Sequence, residues 1–220
     1  MGANRRLWRA RGRCWITRRS IMDNIEISND QRVLIVGKTG TGKTTLAAEF
    51  LRSIDRLIVI DSKFNMSADV WSADILYSIP RELPETFRYI IRLDDPTLAG
   101  ELLLRFEDFY LYVDELFAVF PSAGSASPGW RGLWTRGRER HIAVWAGVQR
   151  PAAVPLVTMS EADHFFVFRL AMEEDTDRVG KIIGVKIPRM KGHEFLYAYP
   201  ARDVFIRYGR LDLTPARIAV

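Results

Sequence analysis

Eight consecutive residues, Gly37-Lys38-Thr39-Gly40-Thr41-Gly42-Lys43-Thr44, combine what a bound polyphosphate asks of a protein. The glycines let backbone N–H groups turn inward around phosphate oxygens, an ammonium can reach adjacent phosphates, and a hydroxyl can ligate Mg²⁺. The spacing G-x-x-x-x-G-K-[ST] is met at every fixed position. It predicts an ATP-binding loop formed by Gly37, Lys38, Thr39, Gly40, Thr41, Gly42, Lys43, Thr44 and Thr45. Lys43 would reach the β- and γ-phosphates and Thr44 would hold the metal. A plain glycine-rich turn gives no reason for the Lys43-Thr44 pair.

A second run, Phe109-Tyr110-Leu111-Tyr112-Val113-Asp114-Glu115, is an apolar stretch that ends in two acids. Ligands of open α/β sheets bind at the carboxyl ends of strands, so Asp114 is expected in the Mg²⁺ shell and Glu115 beside the attacking water, as its base. By itself such a string is weak, since many strands end in acids; after a complete phosphate loop it is strong. A third run, Ile142 to Val148, ends at Gln149-Arg150-Pro151 and follows Arg136-Gly137-Arg138-Glu139-Arg140-His141. Gln149 could place an amide near the γ-phosphate or the water. Taken alone, it reads as a simple strand end and the arginines as a solvated helix face.

These residues need a scaffold, and the hydrophobic pattern supplies one. Val33–Val36, Leu57–Ile60, Phe109–Val113, Ile142–Val148 and Phe165–Phe168 read as buried strands, with a further strand at Tyr89–Leu93. Helices are expected at Thr44–Arg52, Pro96–Glu107, Trp130–Arg140 and Thr176–Ile183. The Ser-, Gly-, Ala- and Pro-rich stretch Pro121–Gly129 reads as a loop, and Phe195–Tyr199 with Val204–Tyr208 as a hairpin. Strands alternating with helices predict an α/β fold with a mostly parallel sheet covered on both faces.

Composition is consistent with this. The 220 residues are 48% hydrophobic and 27% charged, ordinary for one large globular domain. No apolar run approaches the ~20 residues of a membrane-spanning helix. The single cysteine, Cys14, excludes an internal disulfide framework, and a reducing, cytoplasmic setting is the simplest expectation. The net charge of +5 is unevenly placed: residues 1–20 hold seven arginines and no acid, and the remaining 25 basic side chains face 27 acidic ones. The expected organisation is a basic tail at 1–22 and a single ATPase domain at 23–220. Three readings of the tail stand: a DNA-phosphate contact, a solvated extension, or an in-frame stretch upstream of a natural start at Met22.

Together these pieces resemble the FtsK–HerA superfamily of DNA-pumping ATPases. The resemblance runs from about Arg32 to Leu211. It rests on the phosphate loop, Ile60-Asp61-Ser62-Lys63, Asp114-Glu115, the arginine segment before Gln149-Arg150-Pro151, Phe165–Arg169 with Asp175, Asp177 and Arg178, and Gly192-His193-Glu194-Phe195. Gln149-Arg150-Pro151 in its context is the most discriminating part. The resemblance implies a RecA-like P-loop NTPase fold of the ASCE type, with the β-hairpin at its C-terminal end. It makes Gln149 the sensor and one of Arg138, Arg140 and Arg150 an arginine finger reaching a neighbouring subunit's ATP. A homo-oligomeric ring, pentamer or hexamer, follows from that. Val148 stands where the family has a threonine before the Gln.

With no added domain or membrane segment in view, the chain looks most like the minimal viral genome-packaging ATPases. These translocate double-stranded DNA at a capsid vertex, in the host cytoplasm or the virion. The alternatives are an ATPase for filamentous phage assembly, similar to the zonula occludens toxin family, a non-viral HerA-like translocase, and a nucleotide switch with negligible turnover. The loop at Pro121–Gly129 with Trp130, Arg131 and Trp134 is the candidate for DNA contact. Packing of both tryptophans on one helix face is an equally open reading.

Overall fold

The computed structural model of the chain describes Ile25 and residues 27–120, 127–200 and 205–211, the last segment by its backbone alone at 205–208. The basic tail, most of the Pro121–Gly129 loop and the turn of the C-terminal hairpin lie outside the described residues. Among the described residues nine strands form one sheet: β1 (Arg32–Val36), β2 (Arg56–Ile60), β3 (Asp74–Leu76), β4 (Phe87–Ile91), β5 (Phe109–Val113), β6 (Ile142–Val148), β7 (His164–Val167), β8 (Glu194–Tyr199) and β9 (Phe205–Arg210). Their order is β3-β4-β2-β5-β6-β1-β7-β8-β9. The first seven are mutually parallel, and β8 and β9 add an antiparallel edge. This is the α/β, mostly parallel, RecA-like architecture expected of a P-loop NTPase. Parallel strands need crossovers, which cover both faces and explain why β1, β5 and β6 are almost wholly apolar.

Among the described residues, seven helices make those covers. On one face lie α1 (Lys43–Phe50) and the short α2 (Ala68–Trp71), packing Leu46, Ala47 and Trp71 on Val33, Ile35, Leu57 and Val59. On the other lie α3 (Ala99–Leu103), α4 (Leu116–Val119), α5 (Pro128–Arg136), α6 (Leu156–Ser160) and α7 (Glu173–Ile183). From these, Leu103, Leu116, Leu133, Met159 and Val179 close over Leu34, Ile58, Leu111 and Val144. Among the described residues no helix is long and apolar enough to cross a membrane.

Several boundaries differ from the expected ones, each for a local reason. The helix expected at Pro96–Glu107 is a 3₁₀ turn, Pro96–Leu98, capped by Asp95, followed by the five residues of α3. Beyond it the chain turns toward β5, with Asp108 at φ of 56°, and the carbonyls of Arg105, Phe106 and Glu107 accept hydrogen bonds from the guanidinium groups of Arg140 and Arg56. The segment expected as Trp130–Arg140 is likewise split, into α5 and a 3₁₀ turn at Gly137–Arg140. The helix expected from Thr176 begins at Glu173, where Glu173, Glu174 and Asp175 complement the positive end of the helix dipole. Strand β4 begins at Phe87 and ends at Ile91, two residues ahead of the expected run at both ends.

The two tryptophans of α5 are core. Trp130 and Trp134 are fully buried, and their indole N–H groups donate to Pro96 O and Thr158 O at 2.8 Å. Of the two readings left open for them, helix packing is the correct one; neither presents a face to DNA. Behind them sits Arg32, also fully buried, whose guanidinium donates to the carbonyls of Asp30, Leu133, Trp134 and Ile142. Burial pushes this group down to about 10, so it remains charged at neutral pH against the negative end of α5.

Candidate functional site

The site is built where β1, β6 and β5 end side by side. Strand β6 lies between the other two, pairing with both, so whatever follows it must sit between the phosphate loop and the acids. Side chains alternate along a strand, so Asp114 shares a face with Tyr112. Tyr112 packs in the cluster that holds α1, and Asp114 therefore turns toward the first turn of that helix. There Thr44 Oγ1 donates to Asp114 Oδ1 at 2.8 Å, and Tyr112 OH reaches the same oxygen at 3.3 Å.

The loop between β1 and α1 curls as its glycines allow. Gly40 and Gly42 take φ of 76° and 104°, values that a side chain would resist. Lys43 Nζ folds back across the loop to Gly37 O (2.8 Å) and Lys38 O (3.2 Å). Burial holds its ammonium below the usual lysine range, with Glu115 acting against that shift. Thr41 is buried, its hydroxyl donating to Lys38 O, while Thr45 is exposed on the outside of α1. From the other side His193 Nδ1 lies 3.0 Å from Thr41 O, and Leu211 Cδ1 would be 2.9 Å from a Cβ on Gly42.

Gln149 links the two halves. Its side-chain Oε1 accepts from Thr39 Oγ1 at 2.9 Å, and its backbone N–H points at Glu115 Oε1 at 3.4 Å. Burial raises the Glu115 carboxyl above the usual range, opposed chiefly by Lys63, whose Nζ stands 3.7 Å from Glu115 Oε2 and 3.5 Å from Asp114 Oδ2. The assembly offers a hydroxyl and a carboxylate as hard oxygen donors of the kind Mg²⁺ takes. It adds a second, partly dehydrated carboxylate within reach of a water, and an anion cradle at a helix N-terminus. Such a set can bind a nucleoside triphosphate and activate water against its terminal phosphate.

Sequence comparison agrees with the geometry. Residues 16–86 match a family model described as the P-loop containing dynein motor region. The chain is 28% identical over 177 residues to the DNA packaging ATPase P9 of Enterobacteria phage PRD1, covering 76% of each. The chain is homologous to a viral DNA-packaging ATPase. Its fold is similar to that of the genome packaging NTPase B204 of Sulfolobus turreted icosahedral virus 2, in a complex with AMP (TM-score 0.70, 16% identity, 84% of this chain and 100% of that one). It is also similar to VirB4 of Thermoanaerobacter pseudethanolicus (TM-score 0.62, 10% identity, 84% and 90%).

For a packaging-ATPase homologue the three candidate finger arginines are the residues of interest, and the site does not include their side chains. Arg138 and Arg140 lie ahead of β6, at the edge opposite the phosphate loop. Arg138 Nη2 is paired with Asp163 Oδ2 at 2.9 Å, and Arg140 is held to the carbonyls of Arg105 and Phe106. Arg150 follows Gln149 but turns away, its Nε 3.0 Å from the buried Asp175 Oδ2. Asp175 also receives Ala152 N–H at 2.8 Å, which fixes the Gln149-Arg150-Pro151 turn from below.

Gly147 is a residue that motif reading missed. A Cβ there would lie 2.2 Å from the carbonyl oxygen of Asp114 and 3.3 Å from Tyr112 OH. The backbone just after β5 can approach β6 this closely only because the side chain is absent. Gly147→Ala should push the Asp114 backbone away, lower turnover more than about tenfold, and cost roughly 1–3 kcal/mol of stability by overpacking. Fluorescent-nucleotide binding by the phosphate loop should persist. Steady-state turnover equal to that of the unsubstituted chain would mean that this contact does not place Asp114.

Proposed function

We propose that the chain is an ATP-driven translocase of double-stranded DNA, acting as a homo-oligomeric ring at a capsid vertex to package a viral genome. The observation that carries the reading is the convergence of Thr44, Asp114, Glu115 and Gln149 on three neighbouring strand ends. The printed roles of the relatives, DNA packaging for the PRD1 protein and genome packaging for B204, support it.

In this mechanism the loop Gly37–Thr45 binds the ATP phosphates and Lys43 neutralises charge on the β- and γ-phosphates. Thr44 and Asp114 would hold Mg²⁺, which would supply further positive charge at the phosphates. Glu115 accepts the proton of the attacking water as its oxygen bonds to the γ-phosphorus and the bond to the ADP oxygen breaks. Gln149, already bound to the loop through Thr39, orients that water and reports the state of the γ-phosphate. Positive charge from a neighbour completes the site. Arg138 and Arg140 sit at the far edge from their own nucleotide, where a side chain released from Asp163 or from the Arg105 and Phe106 carbonyls can reach an adjacent subunit, while Arg150 would have to leave Asp175 to act in cis.

Turnover coupled to DNA should depend on it. Linear duplex DNA should raise the ATPase rate of the assembled protein at least several-fold, and single-stranded DNA of equal length should do so less. Native mass measurement should give a pentamer or hexamer of the 25.3 kDa chain. A monomer with a DNA-independent rate would contradict the reading.

A further inference from the structure

Lys63 stands on a built turn. It follows β2, and Asp61 at the end of that strand is fully buried. The Asp61 carboxylate accepts from Asn65 N–H at 3.2 Å and Met66 N–H at 3.0 Å. Arg92, following β4, clamps the same turn, with Nε 3.0 Å from Asp61 Oδ2 and Nη2 2.7 Å from Met66 O. Within the turn Phe64 has φ of 57°, a conformation uncommon for a bulky side chain. Such backbone persists only where its surroundings over-determine it, and it clusters at functional sites. The turn is thus fixed at both ends, and what it presents to the neighbouring strand end is the Lys63 ammonium, between Asp114 Oδ2 and Glu115 Oε2.

The charges explain why it is there. Asp114 and Glu115 are adjacent in sequence and largely shielded, and two unneutralised carboxylates so placed would repel each other. Lys43 is committed to the loop carbonyls. Among the described residues Lys63 is the cation paired with both acids, and with it the four groups sum to zero. A divalent cation held by Asp114 would seek the same carboxylate, so ammonium and metal compete for it. ATP changes the balance, because its phosphates bring negative charge that can accommodate the metal and both lysines together.

We propose that Lys63 is a resident counter-ion of the carboxylate pair, a positioning residue that occupies the metal-holding carboxylate of Asp114 until the nucleotide arrives and so makes metal entry conditional on ATP. This rests on reading the site as a metal–nucleotide site, and it goes further by giving Lys63 a part in the order of binding.

The test uses Mn²⁺ as the probe, titrated into nucleotide-free full-length protein and followed by electron paramagnetic resonance. Lys63→Met should bind Mn²⁺ at least about tenfold more tightly than the unsubstituted chain, Lys63→Gln should behave alike, and Lys63→Arg should stay close to the unsubstituted value. Adding Asp114→Asn to Lys63→Met should abolish the gain. A merely structural lysine would not produce this pattern. Unchanged Mn²⁺ affinity in both neutral variants, with fluorescent-ATP binding intact, would overturn the proposal and leave the site reading standing. Failure of the unsubstituted chain to bind Mn²⁺ together with ATP would overturn the site reading itself.

Discussion

Glu115→Gln should bind ATP about as tightly as the unsubstituted chain and hydrolyse it at least ~10²-fold more slowly. The amide keeps the size of the side chain and can still accept a hydrogen bond from Gln149 N–H, now 3.4 Å from Glu115 Oε1, so the strand ends need not move. What it loses is the ability to take a proton. The phosphate loop is untouched, because Lys43, Thr44 and Asp114 make their contacts without Glu115. ATP should therefore accumulate on the protein unhydrolysed, which rapid-quench measurement of bound ATP against ADP would reveal. Two outcomes would point elsewhere. Unchanged turnover would remove Glu115 as the base, and loss of ATP binding would make it part of the nucleotide cradle.

What could be foreseen of this site divides along a physical line. The phosphate loop is a local object: its glycine conformations, its lysine and its threonine all lie within one turn of chain. Spacing alone therefore singled out Gly37 to Thr44 as the candidate phosphate loop. Asp114 and Glu115 were legible for a similar reason, since an apolar strand delivers its last residues to the carboxyl edge of the sheet. Gln149 needed the family resemblance, because its meaning depends on β6 lying between β1 and β5, and no local pattern states strand order.

Contacts that depend on register were invisible. The approach of Asp114 O to Gly147 requires knowing which residue of β6 faces the end of β5. The Lys63 bridge requires β2 beside β5, and the Arg150–Asp175 pair requires α7 to return under the turn after β6. The alternation of Tyr112 with Asp114 was a signal in the sequence that would have found the tyrosine contact. For Trp130 and Trp134, i,i+4 spacing establishes a shared face but not its direction. The carbonyls of Pro96 and Thr158, supplied by distant segments, draw that face inward.

The basic tail and residues 121–126 of the loop, both considered for DNA contact, fall outside the described residues. Of the side chains that follow the loop, Trp130 and Trp134 belong to the core and Arg131 is exposed. Movement along duplex DNA is therefore best tested on the whole chain, by an assay that needs no assumption about which residues grip.

Displacement of a third strand from a linear duplex gives that test. A short oligonucleotide bound as a triplex at one end of a long duplex is an obstacle that only a motor moving along the double helix removes without unwinding it. With ATP, the assembled protein should release the oligonucleotide after a lag that lengthens with its distance from the free end. With Glu115→Gln, release should fall to the spontaneous rate even though ATP and DNA are bound. Release at that spontaneous rate by an unsubstituted protein that hydrolyses ATP would contradict the account, leaving an ATPase whose site is sound and whose work is something other than moving duplex DNA.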